Sequence, residues 1–328
     1  MDLSGKNILI TGGTGSFGKA CIECLLESHD PQVLRVFSRD ELKQSELRAR
    51  YLDDERLRFL LGDIRDRDRM IHATRGVDVI IHAAALKQVP ACEYNPFEAV
   101  QTNVIGAENV VAAAIASGVP HTLLLSTDKA VNPVNLYGAT KLCAEKIFTQ
   151  GNALAADSVS RFACVRYGNV VGSRGSVVPI FLQQAETGRL TVTDERMTRF
   201  WITLEQAVDF VLSRLATMEG GEVFVPKIPS MRVVEIADAI APGAERVITG
   251  VRPGEKLHEM LVTEDESRHA LELDDCYLIY PEFPTWRSHP YMGGPPVADG
   301  FRYASDLNPD QLSADQLRAM LPALQTVL

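Results

Sequence analysis

Between Ser126 and Lys141 the chain gathers two hydroxyls, a carboxylate, an amine, a phenol and a second amine. Tyr137 and Lys141 are spaced i,i+4, which puts both on one face of a helix. A phenol of ordinary pKa about 10 acts as a base near neutrality only if a neighbouring cation stabilises the phenolate. Lys141 can be that cation, so the pair suits oxidation of a carbinol. Asp128 and Lys129 add an acid and a base for the same substrate, with the Thr127 hydroxyl beside them. A free ammonium titrates near 10.4. Lys129 therefore needs burial or a nearby positive charge to work as a neutral amine, and an ionised Asp128 would oppose that. The expectation is a lowered Lys129 and an Asp128 that is protonated when it acts. The plainer alternative is an exposed, salt-bridged loop.

These residues need a scaffold, and the first half of the chain reads as one. Short apolar runs at Asn7–Ile10, Val33–Phe37, Leu57–Leu61, Val77–Ala83, Thr122–Ser126 and Phe162–Arg166 alternate with helical patterns such as Phe97–Ser117 and Tyr137–Leu154. Near-continuously apolar strands separated by helices predict a parallel sheet covered on both faces. The fold class expected is α/β: a Rossmann-type doubly wound parallel sheet over residues 1–172, with a smaller α/β substrate-binding lobe over 173–328 that sends segments back to the sheet. In that lobe the pattern predicts an Arg-rich turn at Arg196–Phe200, a helix at Leu204–Ala216, strands at Glu222–Pro226 and Val247–Gly250, and a helix at Val233–Ile240. A further helix is expected at Glu255–Leu261, after Arg252-Pro253-Gly254.

The first strand runs into Thr11-Gly12-Gly13-Thr14-Gly15-Ser16-Phe17-Gly18 and then a helix. Glycines at 12, 15 and 18 supply a tight turn, close backbone approach and close helix–sheet packing, and they aim the helix N-terminus at a pyrophosphate. Thr14, Ser16 and Phe17 complete that loop. The second strand ends at Ser38-Arg39-Asp40, with Lys43 one turn on. Ser38 with two cations suits a 2′-phosphate and favours NADP over NAD; Asp40 keeps NAD as the alternative. Asp63 and Ile64 close the third strand, where Asp63 could accept from an adenine amino group. Ala83, Ala84 and Ala85 close the fourth, where small side chains let the backbone approach the cofactor.

Composition narrows the classes. The chain has 328 residues, 46% hydrophobic and 23% charged, which supports a sizeable core and argues against disorder. A formal net charge of -10 argues against a nucleic-acid partner. No apolar run approaches the roughly 20 residues of a membrane span, and Met1–Lys6 leads so directly into a strand that no signal peptide is expected. Cys21 and Cys24 have CxxC spacing but fall inside a predicted helix, where packing is expected rather than metal or redox work. A reducing cytoplasm follows as the expected compartment. Lys19 and Glu23 are expected to pair along a helix face. His82 is expected to be a packed strand-end histidine, and His258 and Glu259 lack a metal-site pattern, so no metal is expected.

With these residues in hand, the chain resembles the extended short-chain dehydrogenase/reductase family. Within it, the chain is most similar to the C5-inverting UDP-N-acetylglucosamine 4,6-dehydratases that open pseudaminic acid biosynthesis. The segments that carry the resemblance are Thr11–Gly18, His82–Pro90, Ser126–Lys141, Arg166–Val170, Gly172–Ser176, Met197–Phe200 and Arg252–Lys256. Gly300–Asn308 adds to them, with Ala304 and Leu307 as departures, and the roles of Tyr303, Ser305 and Asn308 stay open. The resemblance implies that Tyr137 takes the C4 hydroxyl proton during a transient oxidation by NADP. Lys129 then removes the C5 proton, Asp128 protonates the departing C6 oxygen, and the hydride returns to C6. The net reaction is elimination of water, so the enzyme is a lyase. The resemblance also places Asn169 on the diphosphate or sugar, Lys87 by the hexose, and Arg199, Arg252 and Glu255 at the nucleotide end. Arg174 is a further candidate for the diphosphate, since guanidinium forks match phosphate geometry; Arg196 is the weakest. A UDP-sugar substrate and a homo-oligomer, dimer or hexamer, are implied.

Retaining dehydratases carry Asp-Glu where this chain has Asp128-Lys129, and 4-epimerases lack the added pair. Those two are the enzymatic alternatives, and an NADP-sensing regulatory protein is the non-enzymatic one.

Overall fold

The computed structural model describes residues 1–51, 54–155, 158–171, 177–282, 284, 286, 291 and 293–325. Its frame is a nine-stranded sheet. Six strands come from the first half: β1 (Asn7–Thr11), β2 (Val33–Ser38), β3 (Leu57–Leu61), β4 (Val79–His82), β5 (His121–Thr127) and β6 (Arg161–Tyr167). They run parallel in the order β3-β2-β1-β4-β5-β6. The order reverses between β1 and β4, so the connections leaving their carboxyl ends go opposite ways and leave a crevice there. Ile8, Leu9 and Ile10 of β1 and Val79, Ile80 and Ile81 of β4 have no exposure at all. Such complete burial on both faces is what selects an unbroken aliphatic run, at about 1.5–3 kcal/mol per side chain.

The crossovers are α1 (Ser16–Ser28), α2 (Glu41–Arg50), α3 (Arg67–Thr74) and, between β4 and β5, α4 (Val89–Tyr94), α5 (Pro96–Val100) and α6 (Gly106–Ser117). α7 (Leu136–Ala155) joins β5 to β6. The single helix expected over Phe97–Ser117 is interrupted by a π-helical turn at Gln101–Ile105. That turn brings the Asn103 amide to the loop after β4, where it accepts from the Leu86 N–H (2.8 Å) and donates to the Leu86 carbonyl (2.9 Å) and the Thr140 hydroxyl (3.0 Å). The backbone of the alanine run is thereby tied to α7. Glu23 reaches Arg50 of α2 at 2.6 Å rather than pairing with Lys19.

The second half adds short pieces on the β6 side: β7 (Asn169–Val170), α8 (Val177–Ala185), β8 (Arg189–Val192), β9 (Thr198–Ile202), α9 (Leu204–Thr217) and β10 (Val223–Pro226). There follow β11 (Ser230–Arg232), α10 (Val233–Ile240), β12 (Glu245–Ile248), β13 (Met260–Val262), α11 (Glu264–Ser267), β14 (Ala270–Glu272), β15 (Cys276–Ile279), β16 (Tyr303–Ala304) and α12 (Ala314–Gln325). β10 extends the large sheet in parallel beside β6, and β15 and β14 close that edge antiparallel. A second core, built on Val178, Phe181, Leu190, Trp201, Ile236 and Leu317, holds α8, β8, β9, α10 and α12 together.

Two expectations for this half need correction. Part of the Arg196–Phe200 turn is strand β9, paired with β7 and β11. Glu255–Leu261 is not helical: its backbone makes turns and then enters β13. The carbonyls a helix would use are engaged elsewhere, Lys256 and Leu257 accepting from the Arg199 guanidinium at 3.0 Å each and Leu257 also from the Thr198 N–H at 3.1 Å. Tertiary partners override local periodicity here.

Candidate active site

A cleft of about 840 Å³ lies along the carboxyl ends of β1, β2, β4 and β5. At one end is the glycine loop, where Gly12 has φ +68° and an added β-carbon would come within 2.8 Å of the Ala84 backbone nitrogen. Only glycine allows that approach between the β1 and β4 loops. Gly15, Gly18 and the side chains of Thr14, Ser16 and Phe17 line this part of the cleft, and Ala83, Ala84 and Ala85 face them. His82, just before the alanines, is buried, stacked on Phe148 and paired with the Thr11 hydroxyl at 2.6 Å. Burial holds its pKa down to about 3, so it is neutral and takes a packing role.

Ser38, Arg39, Asp40, Lys43 and Ile64 line the far end. Asp40 caps α2, accepting from the Lys43 N–H at 3.0 Å and from the Lys43 ammonium at 2.5 Å. Asp63 does not line the cleft; its carboxylate binds Arg65 at 2.6 Å and lies 3.6 Å from Arg39. An adenine contact from Asp63 would compete with those ion pairs.

At the other end β5 delivers Ser126 and Thr127, a 3-10 turn carries Asp128–Ala130, and α7 presents Tyr137 and Lys141. Lys141 is buried, and its ammonium donates to the Leu125 carbonyl at 2.8 Å. Burial lowers its pKa to about 8, although Glu145, one turn on, opposes this. Burial raises the Tyr137 phenol to about 12 against the counter-pull of Lys129 and a hydrogen bond with Thr127. Asp128 has no exposure; its Oδ1 accepts from the Thr127 hydroxyl at 2.8 Å and from the Lys129 ammonium at 3.0 Å. Its Oδ2 is buried without a hydrogen-bond partner.

Lys129 departs from expectation. Burial does pull its ammonium down, but the carboxylates of Asp128 and Glu259 outweigh that and hold it above the ordinary lysine value. Glu259, which the sequence suggested only as a residue without a metal-site partner, lies 3.7 Å from the Lys129 ammonium. Lys256 bridges the same region, 3.6 Å from Glu259 and donating to the Val131 carbonyl at 2.5 Å. In the sequence Glu259 was only a charge beside an apolar run, and Lys256 only the end of the Arg252–Lys256 segment.

Of the substrate candidates, Lys87 and Asn169 line the cleft. Burial and the nearby Lys129 charge lower the Lys87 pKa, and Asn169 Oδ1 is buried with no partner. Arg199 does not line it: the side chain is buried and gives its donors to the carbonyls of Thr198, Lys256 and Leu257. Arg252 is 64% exposed and 3.9 Å from Glu255, outside the cleft lining. Arg196 is a surface partner of Asp194. Arg174 lies outside the described residues. The cleft also takes in Gln88, Thr102, Tyr167 and Leu204, which the sequence did not single out.

The residues present fit a dinucleotide. The glycine cradle leaves room for no β-carbon at Gly12, α1 opens on it, and the buried hydroxyls of Thr102 and Ser126 lack protein partners along the same cleft. Among the described residues there is no group of three or more ligating side chains suited to a metal, and no helix long and apolar enough to cross a membrane.

Comparison with known proteins agrees with this geometry. The family model described as polysaccharide biosynthesis protein matches residues 8–281. A UDP-N-acetylglucosamine 4,6-dehydratase (inverting) of Campylobacter jejuni is 49% identical over 323 residues, covering 96% of each chain. A UDP-glucose 4-epimerase of Rickettsia canadensis is 43% identical over 282 residues, 84% of this chain and 82% of its own. The crystal structure of Pen from Bacillus thuringiensis superposes with a TM-score of 0.91 at 39% identity, over 100% of both chains.

Proposed function

The chain belongs to the polysaccharide biosynthesis protein family of extended short-chain dehydrogenase/reductases, and from that premise we propose that it is a UDP-N-acetylglucosamine 4,6-dehydratase that inverts C5. The product is UDP-2-acetamido-2,6-dideoxy-β-L-arabino-hex-4-ulose. The observation that carries the reading is the 3.0 Å contact of buried Asp128 with Lys129, which lines the cleft together with Tyr137. A 4-epimerase needs only the oxidation machinery; a buried acid touching an amine is what elimination of water adds.

Tyr137 takes the C4 hydroxyl proton, with the Lys141 charge stabilising the phenolate and Thr127 orienting it. When bound, NADP supplies reversible hydride acceptance at C4 and hydride return at C6. The C4 ketone acidifies C5–H, and Lys129 removes that proton as the neutral amine. Asp128 protonates the C6 oxygen as it leaves. Reprotonation of C5 from the opposite face inverts it. Lys87 and Asn169 hold the sugar and diphosphate, Arg174 adds a cation for the diphosphate, and Arg252 and Glu255 serve the nucleotide end. Arg199 we reassign to support of the Lys256–Leu257 backbone.

NADP is favoured over NAD because Ser38 stands at the β2 tip while the Asp40 carboxylate is taken up by Lys43. Residues 1–172 serve mainly the cofactor and 173–328 mainly the substrate. Six free cysteines and a nucleotide-activated substrate suit the cytoplasm, and the product suits a pseudaminic-type pathway. Tyr94 and Phe97, 87% and 83% exposed on α4 and α5, support a homo-oligomer, dimer or hexamer.

Incubation with UDP-N-acetylglucosamine and NADP, followed by proton NMR, tests the reading. The L-arabino 4-ketose is expected. A product retaining the C5 configuration would move the assignment to a retaining dehydratase. UDP-N-acetylgalactosamine would move it to a 4-epimerase, the reading that the Rickettsia relative favours.

A further inference from the structure

Glu259 is a buried carboxylate without an assigned task. It is 3% exposed, its Oε1 lies 3.7 Å from the Lys129 ammonium, and its Oε2 has no hydrogen-bond partner, with the Lys256 ammonium 3.6 Å away. Its backbone is pinned: the N–H donates to the Ser305 hydroxyl at 2.9 Å, and the carbonyl accepts from the Ser305 N–H at 2.8 Å. Ser305 in turn meets the Thr198 hydroxyl at 2.7 Å. A buried carboxylate is costly to keep unless it is paired, and here the fold spends a strand pairing, β13 with β16, to set one against Lys129.

The result is a row of alternating charges, Asp128, Lys129, Glu259 and Lys256, of which Lys129 lines the cleft. We propose that Glu259 is a positioning residue for elimination: it holds the Lys129 amine against Asp128 and keeps one proton on that pair. The inference rests on the dehydratase reading. Its chemistry follows from counting protons. An ion pair of carboxylate and ammonium differs from the working pair only by transfer of one proton along the 3.0 Å hydrogen bond between Asp128 and Lys129. The transfer yields a carboxylic acid and a neutral amine.

In the elimination the C5–H bond breaks and its proton joins Lys129 Nζ. The C5 electron pair forms the C5–C6 double bond, the C6–O bond breaks, and the Asp128 proton leaves with that oxygen as water. No electrons are gained or lost, and the pair returns to the ion pair it started from. A pair that lost its shared proton to solvent would keep a base but have no acid. The negative charge of Glu259 makes that loss harder.

Other groups set the balance: Arg199 and Lys87 favour loss of the proton from the pair, Tyr137 lies beside it, and Lys129, Arg199 and Lys256 help keep Glu259 ionised against the burial and the Asp128 charge that raise its pKa. A variant that keeps the Glu259 charge and one that removes it should therefore differ in water loss, which a structural role alone does not predict.

The test uses the full chain with NADP and UDP-N-acetylglucosamine at pH 8, following C4 oxidation by reduced-cofactor absorbance and water loss by NMR. In Glu259→Gln, C4 oxidation should stay within about threefold of wild type while water loss slows at least about tenfold. Glu259→Asp, which keeps the charge, should recover part of the rate of water loss. Water loss at wild-type rate in Glu259→Gln would overturn the proposal. So would equal loss of both half-reactions in Glu259→Gln, or water loss in Glu259→Asp no faster than in Glu259→Gln. Failure of wild type to form a 4-keto-6-deoxy sugar would instead overturn the dehydratase reading.

Discussion

Gly138 of α7 lies against the Lys129 carbonyl oxygen so closely that a β-carbon on Gly138 would overlap it. The turn bearing Asp128 and Lys129 is thus seated directly on the helix bearing Tyr137 and Lys141. Gly138→Ala has to push the two apart. Overpacking of this kind costs about 1–3 kcal/mol, and a shift near 1 Å at reacting groups costs about a hundredfold in rate. We expect a folded protein with lowered melting temperature and kcat reduced by about that factor. A variant with unchanged kcat would mean that the turn and helix are not held in contact during turnover.

Lys141 leads to a pH prediction for the cofactor-free protein. Its pKa, lowered by burial to about 8, lies below that of an unfolded lysine. Between those two values the unfolded chain binds more protons than the folded one, so stability rises with pH across roughly pH 8 to 10.5. Below pH 8 the full penalty for the buried ammonium is present. Lys141→Met should therefore stabilise relative to wild type near pH 7, by at most about 3 kcal/mol, and that advantage should shrink as pH rises to 10. Denaturant titrations at several pH values read this directly; a constant difference would contradict the lowered value.

How much of this was readable in the sequence depends on how local the signal is. The Gly12–Gly18 loop and the Ser126–Lys141 segment are contiguous, and their geometry follows from a turn, a strand end and an i,i+4 spacing. The strands of the parallel sheet were legible to within one or two residues because burial on both faces demands apolar runs. What could not be read depended on partners far along the chain. Glu259 meets Lys129 only because β13 pairs with β16, and Arg199 binds backbone only because the Lys256–Leu257 segment lies beside it. The π-helical turn at Gln101–Ile105 belongs to the same class: its pattern is helical, and its interruption serves contacts of Asn103 with Leu86 and Thr140.

Cofactor choice can be tested at Arg39 and Lys43, which line the far end of the cleft. A hydrogen bond to a charged group is worth about 1.5–3 kcal/mol, so either alanine substitution should weaken NADP binding by about tenfold or more. NAD, without the 2′-phosphate, should bind as before. Calorimetric titration with both dinucleotides checks this. Equal weakening of the two would show that these cations do not read the phosphate.

Arg166 binds Glu145 on α7 through two hydrogen bonds of 3.0 and 2.7 Å, and Glu266 on α11 at 3.1 and 2.8 Å. It also donates to the Leu261 carbonyl at 2.9 Å, in β13, the strand next to Glu259. Arg166 and Glu145 are each 2% exposed. Replacing the arginine leaves two carboxylates with little solvent and without the cation that bonds both, a loss of about 3–5 kcal/mol. Arg166→Met should therefore lower the urea midpoint strongly. Adding Glu145→Gln should restore part of the loss, because one uncompensated charge is then removed. A single variant within about 1 kcal/mol of wild type, or a double variant less stable than the single, would show that the network is not what ties β13 to the sheet and to α7.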